Sequence, residues 1–420
     1  MKQQIKLTIA LCLGIAIMLG GCKKDKYDDA ELRKTIEEQQ KKADEQQRRI
    51  ETLEALMAAL ENNDYITAIT PITEAGAQVG YTITFSNSPT ITVYNSSVTS
   101  ITQNNDGTAT FTLAVGNKIT MPFALGAGTE ADPRKIFNAA DLNAMRNNLG
   151  WHYILMVDIT VTDWLPVGDR TTSSNVFSGS LDGNGHTITI NSFGYVPKSG
   201  NSYYYGLFGW IRNGGKVSKL HVAYGNVGTI RKTDGGIEYG GIASRLNDSS
   251  PLIVNCSVSG DISAVGTSSW SIYVGGIVGS MYGGTMQNCY ATGSLSATDG
   301  TYNSAGGITC YITGDGSITA CVALQTVINN GGDDTRSGRV VANMGGGYKI
   351  EKNYAYNTMQ VNGAPIATGT GTATKHGANS TSANWSLESW WTDTGTYGLG
   401  WDNTIWDFTD ISADSYPKLR

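Results

Sequence analysis

The chain has 420 residues, enough for two or three domains that each bury a core. Charged residues make up only 16%, Gly occurs 52 times, and Thr, Ser, Asn and Tyr are abundant; this suits a β-rich protein with many tight turns and argues against an α/β enzyme. The net charge of -6 comes with no sustained basic stripe, which argues against nucleic acid as a partner.

The chain opens Met1-Lys2, continues through an apolar run from Ile5 to Met18, and reaches Leu19-Gly20-Gly21-Cys22. A basic start before a short apolar core reads as a secretion signal, and the core is too short to span a bilayer comfortably. The small residues before Cys22 resemble a lipobox. That resemblance implies a signal peptide over 1–21 and a covalent lipid on Cys22; the alternative is an ordinary signal peptide with an incidental Cys. Residues 22–31 form a charged tether (Lys23, Lys24, Asp25, Lys26, Asp28, Asp29) similar to the export signal that sends lipoproteins of some Gram-negative anaerobes to the outer face of the outer membrane. The expected location is therefore the cell surface, and the expected partner is the outer membrane, reached through the lipid. A plain solvated tether is the other reading. With Cys12 in the signal and Cys22 lipidated, only Cys256, Cys289, Cys310 and Cys321 remain, far fewer than a secreted disulfide scaffold carries.

Residues 32–62 predict a helical, coiled-coil-like stalk. Ile36, Ala43, Ile50 and Met57 hold one seam position of a seven-residue repeat and Leu32, Leu53 and Leu60 the other, with Gln39 and Gln46 interrupting the second. Glu, Lys, Gln and Arg, all good helix formers, fill the rest. The seam predicts a homo-oligomer through 32–60; the alternative is a single helix that packs back on its own β domain. Residues 63–125 predict a small antiparallel β module. Tyr81, Ile83 and Phe85 alternate with Thr82 and Thr84, further strands follow over 90–94, 98–103, 108–115 and 118–123, and Asn104-Asn105-Asp106-Gly107 and Gly116-Asn117 supply hairpin-type turns. The helix running into Asn63-Asp64-Tyr65-Ile66-Thr67 and then Gly80-Tyr81-Thr82-Ile83-Thr84-Phe85 resembles a family of unknown function found at the N-termini of bacterial surface lipoproteins. Many of its members carry Gly-Lys-Asp-Gly after the Thr90 strand, where this chain has Asn95-Ser96-Ser97. The resemblance implies location and presentation, not chemistry.

Residues 126–150 are a linker and a short amphipathic cap helix with Phe137, Leu142, Met145 and Leu149 at helical spacing. From 151 to 420 the chain repeats every 31 to 36 residues. Gly206-Leu207-Phe208-Gly209 recurs as Gly241-Ile242-Ala243-Ser244, Gly276-Ile277-Val278-Gly279, Gly307-Ile308-Thr309-Cys310 and a degenerate Arg339-Val340-Val341-Ala342. A second strand follows each, and Leu220, Cys256, Cys289, Cys321 and Asn353 fall at one position of it. No helix-length pattern intervenes, so each repeat is one all-β coil and those five residues predict one inward stack of small fillers. Tyr273 to Ser280 and Asn288 to Gly293 resemble GLUG-motif repeats; Phe177 to Ile188 is similar to the segment that opens such arrays, and Trp406 to Asp410 with Tyr416 to Leu419 to their closing coil. That resemblance implies a parallel right-handed β-helix and surface interaction, and supplies no catalytic residues. The fold class is mainly β: stalk, antiparallel module, then a capped solenoid.

Chemistry is sparse. Asp333 and Asp334 with Arg336, in a Gly-rich insertion, form the one acidic cluster weighed as a catalytic site, since a glycosidase needs two carboxylates within reach; such residues also serve turns. Asp182-Gly-Asn-Gly-His186 has a ligand-like composition but stands where a tight turn is needed. No metal and no cofactor beyond the lipid is expected. Tyr203, Tyr204, Tyr205, Trp210, Trp270 and Tyr282 recur near repeat starts and are the candidate ligand-binding residues, with one or two of Tyr203–Tyr205 expected to face outward. Trp385, Trp390, Trp391, Trp401 and Trp406 are expected to plug the last rung. The function expected is a non-catalytic adhesin or glycan-binding protein whose partner is a glycan or a host surface protein. Alternatives are a carbohydrate-active β-helix enzyme (lyase or glycoside hydrolase) and a structural surface spacer.

Overall fold

In the computed structural model, residues 29–420 are described apart from 63, 105–107, 123–124 and 396–397. Cys22, the expected site of lipid attachment, and residues 22–28 of the expected tether lie outside them. The described chain divides into two compact units, the first ending with Pro122 and the second running from Phe123 to Arg420, with residues 103–108 counted in the second.

The first unit begins with α1, Asp29–Glu61, a helix of 33 residues. Two three-stranded sheets follow: β1 (Ile66–Glu74), β2 (Ala77–Phe85) and β3 (Ile91–Tyr94), then β4 (Val98–Gln103), β5 (Thr108–Leu113) and β6 (Lys118–Pro122). Alternation sets the core, with Ile83, Val93, Val98, Ala109 and Phe111 fully buried. The last turns of α1 pack on this module through Thr52, Leu56 and Ala59, and Arg49 Nε donates to Ser96 O at 2.8 Å. This packing face is offset from the heptad seam, so Ile36, Met57 and Leu60 remain 36–55% exposed. The buried Asp64 joins the two parts: its carboxylate accepts from the backbone and side chains of Asn87 and Ser88 and from Ser86 Oγ, while its N–H donates to Ala59 O.

The second unit is a β-solenoid. The cap is shorter than the spacing predicts: α2 covers Ala139–Ala144 and one 3-10 turn follows over Met145–Asn147. Asn138 caps α2 by accepting from Asp141 N, and Asp141 accepts in return from Phe137 N. Leu142 and Met145 insert into the solenoid core. Each coil contributes a strand to each of two five-stranded parallel sheets. The first is built from Ser202–Tyr205, Gly236–Gly240, Ile272–Gly275, Asn303–Gly306 and Ser337–Gly338. The second is built from Phe208–Ile211, Ala243–Asn247, Val278–Tyr282, Thr309–Thr313 and Val341–Met344. A long, mostly parallel third sheet completes the coils.

The bend between the first two sheets explains the glycine pairs. A Cβ on Gly275 would lie 1.9 Å from Val278 O, and one on Gly276 would lie 2.0 Å from Gly307 O in the next coil. Leu207, Ile242, Ile277, Ile308 and Val340 follow the bends and stack inward, all fully buried. In the last of these coils Arg339 replaces the second glycine, and its buried guanidinium donates to the carbonyls of Tyr356, His376 and Gly377.

The terminal tryptophans do not plug that last rung. They form a separate core on the outer face of the third sheet, where Trp385, Trp390, Trp391, Trp401 and Trp406 pack with Tyr290, Val322, Leu324 and Tyr354. Trp401 Nε1 donates to Ala320 O at 3.1 Å and Tyr290 Oη to Pro417 O at 2.9 Å. The tail then runs back along the solenoid until Arg420 O meets Gly185 in an early coil. It is a lateral strap. In-register pairing had already turned the row of Ser257, Tyr290, Val322 and Tyr354 outward, leaving an apolar stripe to cover.

Candidate functional site

Neighbouring residues fix which way each strand faces. Tyr203, Tyr205, Ile237, Tyr239, Ile272, Val274 and Ala305 belong to the core, so the alternate residues of the first sheet, Tyr204, Glu238, Tyr273 and Ser304, face outward in one in-register row. In the second sheet Ile211, Leu246, Met281 and Ile312 point inward, and Trp210, Arg245, Ser280 and Tyr311 form the matching outer row. The glycine bend brings the rows face to face. Tyr204 meets Trp210 edge-on at 5.5 Å, and one coil further Arg245 pairs with Glu238 through two hydrogen bonds, Nε to Oε2 at 2.9 Å and Nη2 to Oε1.

A column of rings and guanidinium groups rises through this cleft. Arg170 lies 4.7 Å from the Trp210 ring; Arg245 lies 4.5 Å from Trp210 and 4.6 Å from Tyr282; Tyr282 meets Tyr311 at 5.4 Å. Such cation–π contacts are worth about 0.5–2 kcal/mol each, more when desolvated. Burial pushes the Arg245 guanidinium down and the Glu238 carboxylate more than offsets this, leaving its pKa raised. Burial pushes the Tyr282 phenol up to about 12, so it stays neutral.

A second line of rings and cations borders the first sheet where loops of successive coils stack. Lys232 Nζ sits 4.3 Å from the Tyr203 ring and 5.9 Å from that of Tyr195, which is 83% exposed. Tyr203 Oη donates to Asp234 at 2.8 Å, Lys198 pairs with the same carboxylate at 3.3 Å and lies 6.0 Å from Trp270, and Arg336 lies 4.3 Å over Tyr302.

The sequence-predicted residues therefore divide. Tyr204, Trp210 and Tyr282 meet in the cleft; Tyr203 and Trp270 stand on the bordering line; Tyr205 belongs to the core against Phe193 and Tyr239. Of Tyr203–Tyr205, Tyr204 turns outward, yet all three are at most 7% exposed, because Trp210 of the same coil and Arg245 of the next cover the Tyr204 ring. Glu238, Arg245, Arg170 and Lys232 were missed. The available signal was a charged residue two places before, or four after, a Gly-Gly bend in an otherwise ion-poor repeat.

The Asp333 loop is built as a turn. Asp333 caps the 3-10 turn Asp334–Arg336, accepting from Thr335 N and Oγ1 and pairing with Arg336 at 3.4 Å; Thr335 leads the contacts that hold its carboxyl below the usual range. Asp334 accepts from Asn362 Nδ2. These contacts occupy the two carboxylates locally instead of directing them at a shared substrate position. Asp182 likewise accepts from Asn184 N and pairs with Lys219 at 2.7 Å, and among the described residues no group of three or more His, Cys, Asp or Glu is placed to hold a metal. Cys256, Cys289 and Cys321 stack inside as free, fully buried thiols, next to Asn353, which donates to Ile318 O and accepts from Cys321 N.

Residues 271–296, one coil of this cleft, match the GLUG motif. Among characterised sequences the chain is similar to a Gly-rich membrane protein of Evansella cellulosilytica, 37% identical over 117 residues that make up 26% of this chain and 13% of that protein. It is also similar to halomucin of Haloquadratum walsbyi, 28% identical over 198 residues, 44% of this chain and 2% of that protein. The chain thus matches only a small part of either relative. Among solved structures, a Bacteroides ovatus protein named as an immunoglobulin A1 protease aligns over 70% of this chain and 94% of its own at 20% identity and a TM-score of 0.44. A second IgA1 protease aligns over 69% and 27% at 14% identity and a TM-score of 0.31. Among the described residues no helix is long and apolar enough to cross a membrane.

Proposed function

We propose that the chain is a surface-displayed, lipid-anchored protein that binds glycans non-catalytically through the outer cleft of its solenoid. The observation that carries this reading is the column of Trp210, Arg245, Tyr282 and Tyr311, which links four successive coils through ring and guanidinium contacts, with Tyr282 two residues off the in-register row. Aromatic faces offer apolar area to sugar rings, and the guanidinium and phenol groups beside them donate to hydroxyls. Polymers repeat, and a parallel solenoid repeats about every 4.8 Å, so the surface can meet a polysaccharide at several points. The lipid on Cys22 is the anchor in this reading, and α1 is the stalk, associating with further copies through the 32–60 seam, of which Ile36, Met57 and Leu60 are exposed.

The test presents the purified full-length chain in detergent with a panel of host and dietary polysaccharides, recording retention and cleavage products together. Retention without products, reduced in Tyr282→Ala, supports binding. Products would establish the enzyme reading in its place, and absence of both would leave a protein ligand or a spacer. Loss of an incorporated acyl label in Cys22→Ala tests the anchor separately.

A further inference from the structure

The cations of this face are not equally compensated. Arg245 has Glu238, Arg212 has Asp248, Lys198 has Asp234 and Arg336 has Asp333. Among the described residues, Arg170 and Lys232 have no carboxylate within ion-pair distance; each is held only against aromatic rings, Arg170 on Trp210 and Lys232 on Tyr203 and Tyr195. They flank the same strand, Ser202–Tyr205: Arg170 is tied to the loop before it, where Ser199 Oγ donates to Arg170 O, and Lys232 lies over Tyr203 within it. Two donor-only groups in this stack also lack acceptors. Arg170 Nε and Trp210 Nε1 are buried with no hydrogen-bond partner. Leaving such donors unpaired costs free energy that an incoming acceptor recovers. In a chain with net charge -6, a locally uncompensated pair of cations with orphan donors selects for negative charge.

We infer that the N-terminal end of this face takes an anionic polysaccharide, its uronate or sulfate groups supplying the acceptors that Arg170 and Lys232 lack while its rings lie along Trp210 and Tyr282. The inference rests on the glycan-binding reading and adds the charge of the ligand. Arg170 turns off the Trp210 face to meet the acid group, which uncovers the indole N–H beside it. Arg245, neutralised by Glu238, positions Tyr282 and Trp210 and does not read the anion.

The experiment uses the full-length chain in detergent and three polymers: polygalacturonate, chondroitin sulfate and a neutral β-glucan. Affinity is measured by calorimetry at low and at high salt. Expected is binding to one or both acidic polymers, at least tenfold tighter than to the neutral one, weakened by salt, and reduced about tenfold in Arg170→Gln and in Lys232→Gln. Which acidic polymer binds separates carboxylate from sulfate. Equal affinity for the neutral polymer without salt dependence would overturn the inference while leaving glycan binding intact; no binding to any polymer would remove both. The salt titration on the unaltered chain decides the matter even where a variant folds poorly, and Asp410→Asn, on the exposed tail far along the sequence, serves as the charge control expected to change nothing.

Discussion

Replacing Glu238 by Gln tests whether the cleft is built around its ion pair. The two side chains are 5% and 16% exposed, and the contact is bidentate. Removing one partner of a buried pair leaves a charge without compensation, at a typical cost of about 3–5 kcal/mol. Arg245 keeps its contacts with Trp210 and Tyr282, each worth about 0.5–2 kcal/mol, which places the expected loss near the lower end, about 3 kcal/mol. A volume-matched apolar pair has no such orphan, so Glu238→Leu combined with Arg245→Met should lie within about 1 kcal/mol of the parent. Urea melts followed by circular dichroism, with slopes compared to confirm that the same unit unfolds, give the three values. A double variant as unstable as the single one, or a single variant within about 0.5 kcal/mol of the parent, would show that the pair does not organise the cleft.

Acid should weaken the solenoid through His221. Both its ring nitrogens bond serine hydroxyls, Ser257 at 2.8 Å and Ser259 at 3.0 Å, and burial pushes its pKa to about 4 from 6.5. With the folded pKa depressed, the neutral ring's contribution is full above pH 6.5 and is lost as pH falls from there toward 4, a change of about 2–3 kcal/mol that His221→Gln should abolish in melts at pH 7 and pH 4.5. The thiols of Cys256, Cys289 and Cys310, fully buried and raised by burial, should resist iodoacetamide in the native chain and react after unfolding, as counted by mass spectrometry. Trp401→Ala removes a fully packed strap residue, stacked on Trp406 at 4.6 Å, and should cost about 3–5 kcal/mol and open the tail to limited proteolysis. Ile36→Lys with Ile50→Lys should convert an oligomer to a monomer in sedimentation without altering the melt of the β module, because neither residue lies on the face that α1 packs on it; a chain already monomeric at micromolar concentration would end the stalk-assembly idea.

Much of the fold was legible because a solenoid writes its geometry into the sequence at a fixed period. Gly-Gly before Ile recurs because a Cβ on the first would meet backbone just past the bend and one on the second would meet backbone of the next coil, and the Leu220–Cys256–Cys289–Cys321–Asn353 series stacks as its spacing implies. What periodicity cannot show is which side of a strand another part of the chain will cover. Tyr290 and Tyr282 are both outward aromatics eight residues apart, yet one is buried under Trp401 and Trp406 and the other remains 37% exposed. The strap is not part of the repeat, so nothing in the coil pattern announces it. The same limit hid the cleft. The carboxylates that stand close in sequence, Asp333 and Asp334, make contacts that serve their own turn. Glu238 and Arg245 are seven residues apart on two sheets and meet only because the glycine bend folds one strand against the next, and Arg170 reaches Trp210 across forty positions only once successive coils are stacked. In a repeat otherwise poor in ions, a charge at an outward position beside a glycine bend is costly to cover and has to be matched across the bend. Such charges, more than clustered acids, are therefore the residues from which to read a solenoid's site.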